Sequence, residues 1–345
     1  MERVRPRLQD IATRAGVSVP TVSRVLNGQA GVAEHTRRAV LAEVELLGYT
    51  RRHRHMAQRR RGRVGVIVPE LDNPIFPHFV HEIENSLAAN GFMPLLCTAT
   101  PVIDESEYID VLLDEGVAGL VIVGGRNSNT EADKRQYHQI RSAGMPLALV
   151  NGPVEGLQAP SASTDDGDAV RKAVHHLHAL GHSRIGCVIG PARYVTTQRR
   201  VDSFLRATSR HGRGPAAGHG EDLVVRTWWT LEGGYAATQT LLDRGVTAVV
   251  CGNDLMALGA VRAVRSRGLH VPTDVSVVGY DDSPMLTLTD PPLTTIRQNV
   301  AGISRHIVSA LVDAIHGEPP DRQEMLFAAE LVVRGSTAPP GPVTP

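Results

Sequence analysis

Residues 15–27 read AGVSVPTVSRVLN, and this stretch decides the fold of the N-terminal region. Gly16 ends a short preceding helix whose apolar positions recur with helical spacing. Ser18 is a natural N-cap, and Pro20 falls in the first turn of the next helix, where a missing N–H costs little. The sequence therefore predicts a second helix from about Val19 to Leu26. Two helices joined by a short glycine-containing turn form a helix-turn-helix.

A third helix completes a small helical core. It is predicted from about Ala33 to Leu47 and ends at Gly48. The side chains predicted to face inward repeat every three or four residues, as one buried face of each helix requires. They are Leu8, Ile11, Ala12 and Ala15 on the first helix, Val22, Val25 and Leu26 on the second, and Val40, Leu41, Val44 and Leu47 on the third.

The second helix leaves Val19, Pro20, Ser23 and Arg24 pointing outward near its N-terminal end. In a helix-turn-helix this end enters the DNA major groove, so Val19, Pro20 and Arg24 are candidate base readers. Arg24 can donate two hydrogen bonds to guanine O6 and N7, whereas a valine or proline can read only shape or a thymine methyl group. The alternative is that residues 8–47 form a small protein-interaction domain.

The charges of the chain are unevenly distributed. The whole sequence contains 36 Lys and Arg against 36 Asp and Glu. Residues 1–63 contain 14 Arg, no Lys and five acidic residues, a net charge of +9. Residues 64–345 contain 22 basic and 31 acidic residues, a net charge of −9. A basic segment carried by an acidic body indicates a polyanionic partner for the N-terminal region.

The composition indicates a globular protein of more than one domain, with 42% apolar residues. Its longest apolar runs, such as 64–69 and 119–123, are shorter than the roughly 18 residues that a membrane helix needs. The N-terminus lacks the pattern of a secretory signal. Cys97, Cys187 and Cys251 lie far apart in strand-like runs, which suits reduced thiols in the cytoplasm.

From residue 64 onward, short apolar runs alternate with helical stretches. This alternation is typical of parallel βαβ units covered by helices on both faces. Because the strands are too many for one open sheet, we expect an α/β core of two subdomains. The predicted strands are Val64–Val68, Met93–Cys97, Gly119–Val123, Leu147–Val150, Ile185–Ile189, Leu223–Val225, Ala248–Cys251 and Val275–Gly279.

Short carboxylates and amides follow several of these strands, at the edge where ligands of parallel sheets bind. Asp, Asn and Arg side chains can pair adjacent hydroxyl groups, and an indole face can stack on a sugar, so the set suits a polyhydroxylated ligand. Ordinary capping and turn chemistry also favours Asp and Asn at such positions. The candidate ligand residues are Asn73, Phe76, Asn151, Arg200, Trp229, Asn253 and Asp281.

Catalytic motifs are missing from the sequence. A phosphate-binding loop ending in Gly-Lys-Ser/Thr is excluded because the only lysines, Lys134 and Lys172, do not follow glycine. There is no His-Glu-x-x-His and no Gly-x-Ser-x-Gly. The histidines at 175, 176 and 178 would scatter around a helix instead of converging on a metal. We therefore expect no catalytic residue, no metal and no cofactor, and a protein that is not an enzyme.

The sequence resembles the LacI/GalR family of bacterial transcription repressors along nearly its whole length. In the head, the resemblance is carried by Ile11-Ala12, Ala15–Ser18, Thr21–Asn27 and Gly48-Tyr49. In the body it is carried by Asn73–Phe76, Gly181–Ile185, Arg200–Phe204, Asn253–Gly259, Val271–Asp282, Pro292–Ile296 and Leu331–Ser336.

The resemblance implies a periplasmic-binding-protein-like core of two Rossmann-like subdomains linked by three crossovers. It implies that Thr21, Ser23 and Asn27 contact the DNA phosphate backbone, and that five of the candidate ligand residues hold an effector: Asn73, Arg200, Trp229, Asn253 and Asp281. Asn151 stands where several members have an acid. The expected domains are a helix-turn-helix head (1–50), a basic hinge (51–63), a first subdomain (64–163 and 297–323), a second subdomain (164–296 and 324–336) and a proline-rich tail (337–345).

The basic segment 51–63 contains seven arginines and no acid, and Arg51 and Arg52 are expected to contact DNA phosphates. In the family this segment is a hinge that folds on operator DNA and wedges a leucine into the minor groove. No leucine is present here. Counting forward from the preceding tyrosine gives Gln58 at the wedge position, and counting back from the first core strand gives Met56. Met56 is the better candidate because it is flexible and apolar; an unstructured basic linker is the alternative.

Together these features predict a repressor that binds a pseudo-palindromic operator as a homodimer. A small molecule, most readily a sugar or glycoside, would switch it from the cleft between the subdomains. Such a protein would work in the cytoplasm, in association with the nucleoid. The alternative is a soluble sugar-binding or carbohydrate-processing protein with the same core fold. The sequence leaves open which effector binds and whether it releases or promotes DNA binding.

Overall fold

The computed structural model describes residues 8–26, 32–46, 62–99, 103–209, 220–319 and 323–341. The chain divides into two compact units, Met1–Arg59 and Arg60–Pro345. The described part of the first unit is helical, and the second is built from parallel sheets and helices. None of the described helices is long and apolar enough to cross a bilayer.

The first unit contains the three predicted helices, α1 (Leu8–Arg14), α2 (Val19–Leu26) and α3 (Glu34–Leu46). The Oγ of Ser18 accepts a hydrogen bond from the backbone N–H of Thr21 at 3.4 Å, as the predicted N-cap requires. Each helix turns one apolar face toward the other two, which gives the unit its own core. The buried side chains are Ile11, Ala12, Val22, Val25 and Val40.

Two side chains of this unit differ from the sequence prediction. Leu41 was expected in the core but is 47% exposed. A helix turns by about 100° per residue, so the neighbouring Val40 takes the central core position and Leu41 lies beside the buried stripe. Val19 was expected to point outward but is half-buried against the core, because a side chain in the first turn leans toward the helix N-terminus. Leu47 and the side chains of Leu8 and Leu26 lie outside the described part.

The second unit has twelve strands within its described residues, alternating with helices α4 to α11. The strands are β1 (Gly62–Val68), β2 (Phe92–Thr98), β3 (Gly119–Val123), β4 (Leu147–Val150), β5 (Ser161–Thr164), β6 (Ile185–Ile189), β7 (Val224–Arg226), β8 (Ala248–Cys251), β9 (Ser276–Asp281), β10 (Thr294–Arg297), β11 (Glu324–Phe327) and β12 (Glu330–Val332). The helices are α4 (Ile75–Ala89), α5 (Glu105–Asp114), α6 (Arg135–Ser142), α7 (Asp166–Ala179), α8 (Val195–Ser209), α9 (Leu231–Asp243), α10 (Asp254–Ser266) and α11 (Val300–Ile315).

These strands form two six-stranded sheets, in the orders β11-β5-β4-β3-β1-β2 and β12-β10-β9-β8-β6-β7. The neighbouring strands run parallel, except that β12 is antiparallel to β10. Helices α4 and α11 cover one face of the first sheet, and α5 and α6 cover the other. Helices α7 and α8, and then α9 and α10, cover the second sheet in the same way. Each sheet with its helices is called the first or the second half below.

The chain crosses between the two halves three times, at positions that differ slightly from the expected boundaries. The crossings follow β5, β10 and β11, which end at residues 164, 297 and 327, whereas the expected boundaries followed residues 163, 296 and 323. The largest difference arises because β11 pairs with β5 and so belongs to the first sheet. The first strand also begins inside the expected hinge, since Gly62 and Arg63 pair with β2.

The proline-rich tail is fastened to the second half by a buried histidine. His182 Nδ1 lies 2.9 Å from the hydroxyl of Thr247, and Nε2 lies 3.0 Å from the hydroxyl of Ser276 and 2.9 Å from the carbonyl oxygen of Ala338. The backbone N–H of Ala338 in turn donates to Ser276 Oγ at 3.1 Å. Burial lowers the pKa of His182 below its usual value of 6.5, so the folded state holds this ring neutral.

We expect this histidine to make stability depend on pH. The unfolded chain takes up a proton near pH 6.5 that the folded chain resists, so the contribution of His182 is complete above that pH and is lost as the pH falls below it. Chemical denaturation at a series of pH values between 5 and 8 measures this slope. His182→Gln should flatten it, whereas His78→Gln, at an exposed position, should leave it unchanged. Equal slopes for His182→Gln and the parent would contradict the expectation.

Candidate functional site

A cavity of about 360 Å³ lies between the carboxyl ends of the two sheets. This volume is within the range of about 300–1,000 Å³ typical of small-molecule sites. Its walls come from the segments after β1, β3 and β4 in the first half, and from the segments after β6, β7 and β8 and the last residue of β9 in the second. The lining residues are Pro69, Glu70, Asn73, Ile75, Phe76, Gly124, Ser128, Asn151, Tyr194, Thr196, Arg200, Trp228, Trp229, Thr230, Gly252, Asn253, Asp281 and Gln298.

The structure brings all seven candidate ligand residues to this cleft, namely Asn73, Phe76, Asn151, Arg200, Trp229, Asn253 and Asp281. Sequence reasoning missed several other polar and aromatic lining residues. Glu70 and Ser128 lie just beyond strands that were predicted, so the same strand-end rule could have found them. Gln298 follows β10, which has no long apolar run to signal it. Tyr194 directly precedes α8, Thr196 lies in the first turn of α8, and Trp228 comes from the loop before α9.

Arg200 is buried in the wall of the second half and held by three groups. Its Nε donates to Asp166 Oδ1 at 2.6 Å, and its Nη1 donates to the carbonyl oxygen of Gly252 at 2.7 Å. Its Cζ lies 3.7 Å from the centre of the Tyr280 ring, a cation–π distance. Burial is the largest single influence and would lower the pKa of Arg200, but the neighbouring Asp166, Tyr280 and Asp281 together outweigh it, and the pKa stays above its ordinary value. The site therefore carries a permanent positive charge in a fixed orientation.

Asp281 presents an acceptor to the same cleft. It is 7% exposed, and its Oδ1 accepts a hydrogen bond from Gln298 Nε2 at 2.7 Å. Its Oδ2 has no hydrogen-bond partner among the described residues. Burial, reinforced by the charge of Asp254, raises the pKa of Asp281 well above its usual value. A buried oxygen without a partner is costly, so a ligand hydroxyl at Oδ2 would be favourable.

The amides of Asn253 and Asn73 satisfy the backbone as well as line the cleft. Asn253 is the N-cap of α10: its Oδ1 accepts from the N–H of Met256 at 2.8 Å, and its Nδ2 donates to the carbonyl oxygen of Trp229 at 3.1 Å. Asn73 Oδ1 accepts from the N–H of Ile75 at 3.3 Å, at the start of α4. Capping for Asn253 and turn formation for Asn73 therefore hold together with the position of both residues in the cleft.

Trp229 is a half-buried side chain fixed against two glycines. A Cβ atom on Gly190 would lie 1.9 Å from the Trp229 ring, and one on Gly252 would lie 2.7 Å from it. These glycines therefore let the indole lie directly on the backbone of the second sheet. The result is a rigid aromatic wall beside Arg200, whose Cζ is 6.0 Å from the Trp229 ring centre.

Short backbone contacts join the two halves across the mouth of the cleft. The N–H of Thr130 donates to the carbonyl oxygen of Arg193 at 2.7 Å, and the N–H of Val195 donates to that of Ser128 at 2.8 Å. Asn129 and Tyr194 form an isolated antiparallel bridge between these bonds. On another side, Arg199 and Glu324 form a two-point ion pair with distances of 2.9 and 2.5 Å. The cleft is thus bounded by contacts that a change in the relative orientation of the halves must alter.

Comparison with known proteins identifies the family. Residues 7–52 match the family described as bacterial regulatory proteins, lacI family, and residues 174–337 match a periplasmic binding protein-like domain. The chain is also 49% identical over 333 residues to the HTH-type transcriptional regulator MalR of Streptomyces coelicolor, which covers 96% of each chain. The chain belongs to the LacI family.

Solved structures of LacI-family regulators have the same fold. One is the transcriptional regulator CelR in complex with cellobiose, with a TM-score of 0.72, 31% identity, and coverage of 96% of this chain and 100% of CelR. Another is the lac repressor dimer bound to operator and the anti-inducer ONPF, with a TM-score of 0.67, 28% identity, and coverage of 97% and 100%. The predicted family and the predicted fold, a helical head with a periplasmic-binding-protein-like α/β core, are confirmed.

Membership of the LacI family makes the chain a DNA-binding transcriptional regulator and confirms the prediction that it is not an enzyme. On α2 of the DNA-binding head, Pro20 and Arg24 are exposed. The Oγ1 of Thr21 lies 2.9 Å from Ser18 Oγ, so this hydroxyl also helps to begin the helix. The remaining predicted DNA contacts, Asn27, Arg51, Arg52, Met56 and the side chain of Ser23, lie outside the described part.

Proposed function

We propose that this LacI-family regulator is a repressor that binds a pseudo-palindromic operator as a homodimer and responds to a sugar held in the cleft. It acts in the cytoplasm on chromosomal DNA. The observation that carries the proposal is the combination, in one chain, of an exposed arginine on the second helix of a helix-turn-helix and a cleft whose polar groups suit adjacent hydroxyls.

The chemistry of the cleft favours a sugar. Arg200 uses its Nε and Nη1 within the protein, so its remaining Nη2 amino group can donate to a ligand hydroxyl. The unpartnered Oδ2 of Asp281 can accept from a hydroxyl beside it. The Trp229 face offers an apolar surface for the C–H side of a pyranose. The similarity to CelR, which was solved with cellobiose, supports the same class of ligand.

Dimerisation is favoured by an apolar patch on the second half. Leu288 is 86% exposed and Met285 is 47% exposed, and both belong to the segment between β9 and β10. A cavity of about 310 Å³ that includes the nearby Thr289 is lined by the apolar residues Leu258, Val261, Pro291 and Leu293 together with Arg262, Arg265 and Asp290. Exposed large apolar side chains close together in one segment suit an association site, and a two-fold dimer matches the symmetry of a pseudo-palindrome. The operator-bound lac repressor dimer supports this arrangement.

The switch follows from the position of the ligand between the two halves. A sugar that contacts Asn73 and Asp281 touches both halves, so it binds one relative orientation of the halves more tightly than the other and shifts the equilibrium between them. The coupling is reciprocal, so operator DNA should change the affinity for the sugar by the same factor.

Fluorescence anisotropy tests the proposal directly. The full chain is titrated into labelled DNA from upstream of its own gene, into a half-site and into random DNA, across a salt series and with each of several sugars. We expect preference for the symmetric site, a steep loss of operator affinity with salt, and a change in affinity with one sugar class. Sugar binding itself should depend little on salt. Absence of sequence preference on this DNA and on a palindromic library would overturn the proposal.

Arg24 should carry much of the sequence preference. Arg24→Ala is expected to lower the preference for operator over random DNA by about 5- to 150-fold, the effect of losing about 1–3 kcal/mol of base discrimination. Arg24→Lys is the matched control, because it keeps the charge but loses the two-point fork. Both variants should lose preference while retaining close to the parent's salt slope, because a side chain that reads a base neutralises no phosphate. Equal losses on operator and random DNA would make Arg24 a phosphate contact.

A further inference from the structure

The cleft contains a second tryptophan that the proposed sugar contacts do not use. Trp228 lines the cleft next to Trp229 but is 63% exposed. Of the Phe, Tyr and Trp side chains that the structure describes, Trp228 is the only one in the exposed class. Burying a ring of this size is favourable, so an exposed tryptophan at the rim of a ligand cleft indicates a surface that a ligand covers.

Trp228 belongs to a small aromatic platform organised by one arginine. The Cζ of Arg193 lies over the Trp228 ring at 5.5 Å from its centre and over the Tyr194 ring at 5.2 Å. These are cation–π distances. Arg193 and Tyr194 are half-buried, and the guanidinium still carries N–H donors that can reach hydroxyl groups. Aromatic faces beside an arginine are the same combination that Trp229 and Arg200 provide deeper in the cleft.

The platform is attached to both halves of the core. The carbonyl oxygen of Arg193 accepts from the N–H of Thr130 at 2.7 Å and from its hydroxyl at 2.9 Å. Tyr194 forms the bridge to Asn129, on the first half. Trp228 comes from the loop before α9, on the second half. A ligand group on this platform would therefore touch the segments that close the mouth of the cleft.

We propose that Trp228, Tyr194 and Arg193 form an outer saccharide subsite, so that the effector is a disaccharide or a longer oligosaccharide. One ring lies against Trp229, between Arg200 and Asp281, and the next ring lies on Trp228. This inference rests on the proposed sugar effector and specifies its size. It also gives the outer ring a regulatory role, because only a ligand long enough to reach Arg193 and Tyr194 reinforces the contacts between the two halves.

Isothermal titration calorimetry with the full chain tests the subsite. The probes are the monosaccharides glucose and galactose and the disaccharides maltose, cellobiose and lactose. The variants are Trp228→Ala, Trp228→Phe, which keeps an aromatic face, and the control Val333→Ala, at an exposed apolar residue outside the cleft. Thermal melts confirm that each variant is folded.

We expect one disaccharide to bind at least about tenfold more tightly than its component monosaccharide, and Trp228→Ala to weaken that disaccharide by about three- to tenfold. Monosaccharide affinity should stay within about twofold, Trp228→Phe should retain most of the disaccharide affinity, and Val333→Ala should have no effect. Trp229→Phe leaves Trp228 as the one tryptophan, since the sequence has two, so its emission should shift with the disaccharide but not with the monosaccharide.

The opposite results distinguish a failure of the outer subsite from a failure of the sugar effector itself. Equal affinities for mono- and disaccharides, or a Trp228→Ala variant that weakens both equally or neither, would overturn the outer subsite while leaving a sugar effector in place. A chain that binds none of these saccharides would overturn the proposed sugar effector and the subsite with it.

Discussion

Arg200→Ala should lower the free energy of unfolding by about 3–5 kcal/mol and abolish the response to the effector. The structure gives both effects one cause. Arg200 lines the cleft, and its Nε is also the ionic partner of Asp166, whose side chain is 1% exposed. Removing the guanidinium leaves this buried carboxylate with the hydroxyl of Tyr280, at 2.8 Å, but without a countercharge. Urea denaturation followed by far-UV circular dichroism measures the loss of stability, and operator release measures the response.

A double variant separates the structural part from the ligand contact. Arg200→Met with Asp166→Asn removes both charges, while the asparagine oxygen can still accept from the Tyr280 hydroxyl. We expect this variant to recover most of the stability, because no buried charge is left unpaired, but not the response to the effector. A single variant as stable as the parent would show that the pair is not structural. A double variant that still responds to the sugar would remove Arg200 from the binding site.

Gly259→Ala should destabilise the second half by about 3 kcal/mol or more. A Cβ atom on Gly259 of α10 would lie 2.1 Å from the carbonyl oxygen of Leu231, at the start of α9. A Cβ atom on Gly234 of α9 would lie 2.3 Å from the carbonyl oxygen of Met256, on α10. In both cases the added methyl group would clash with backbone atoms of the other helix. It can be accommodated only if the two helices move apart. Gly234→Ala should therefore behave in the same way.

Another helical glycine supplies the control. Gly167, in the first turn of α7, has open surroundings: the nearest atom to an added Cβ would be Asp165 Oδ1 at 3.5 Å, an ordinary contact. Gly167→Ala is expected to be neutral or to stabilise the chain by up to about 1 kcal/mol, because alanine has the higher helix propensity. Guanidinium denaturation of the three variants compares them on one scale. If Gly259→Ala and Gly167→Ala were equally stable, the close helix approach would not be rigid.

The parts of the fold that could be predicted are those with a local signal. All eight strands predicted from apolar runs are present. The apolar positions that repeat along α1 and α2 correctly predicted buried residues of the core of the head. The strand β5 was missed because it reads Ser-Ala-Ser-Thr, and it is nevertheless fully buried between β4 and β11. Two of its three hydroxyls bond distant residues: Ser163 donates to Glu324 at 2.5 Å, and Thr164 donates to Gln298 at 2.6 Å. No pattern within the strand itself encodes those partners.

The same distinction applies to the cleft. Residues at or just beyond the end of an apolar strand, such as Asp281 and Asn151, could be placed at one edge from the order of the strands alone. The platform of Arg193, Tyr194 and Trp228 could not, because it depends on how a loop of one half meets a loop of the other. Asn253 illustrates why a single residue is ambiguous in sequence: it caps α10 and lines the cleft at once.

The pairing of β11 and β12 has a consequence for how the protein is made. These strands lie only two residues apart in sequence, yet one completes the edge of the first sheet beside β5 and the other completes the edge of the second beside β10. During synthesis, a ribosome that has not yet delivered residues 324–332 leaves both sheets one strand short at the same time. Residues 324–332 therefore complete both sheets together, and neither half has its full set of strands until this segment has emerged. A pause in translation at this point should favour aggregation of the nascent chain.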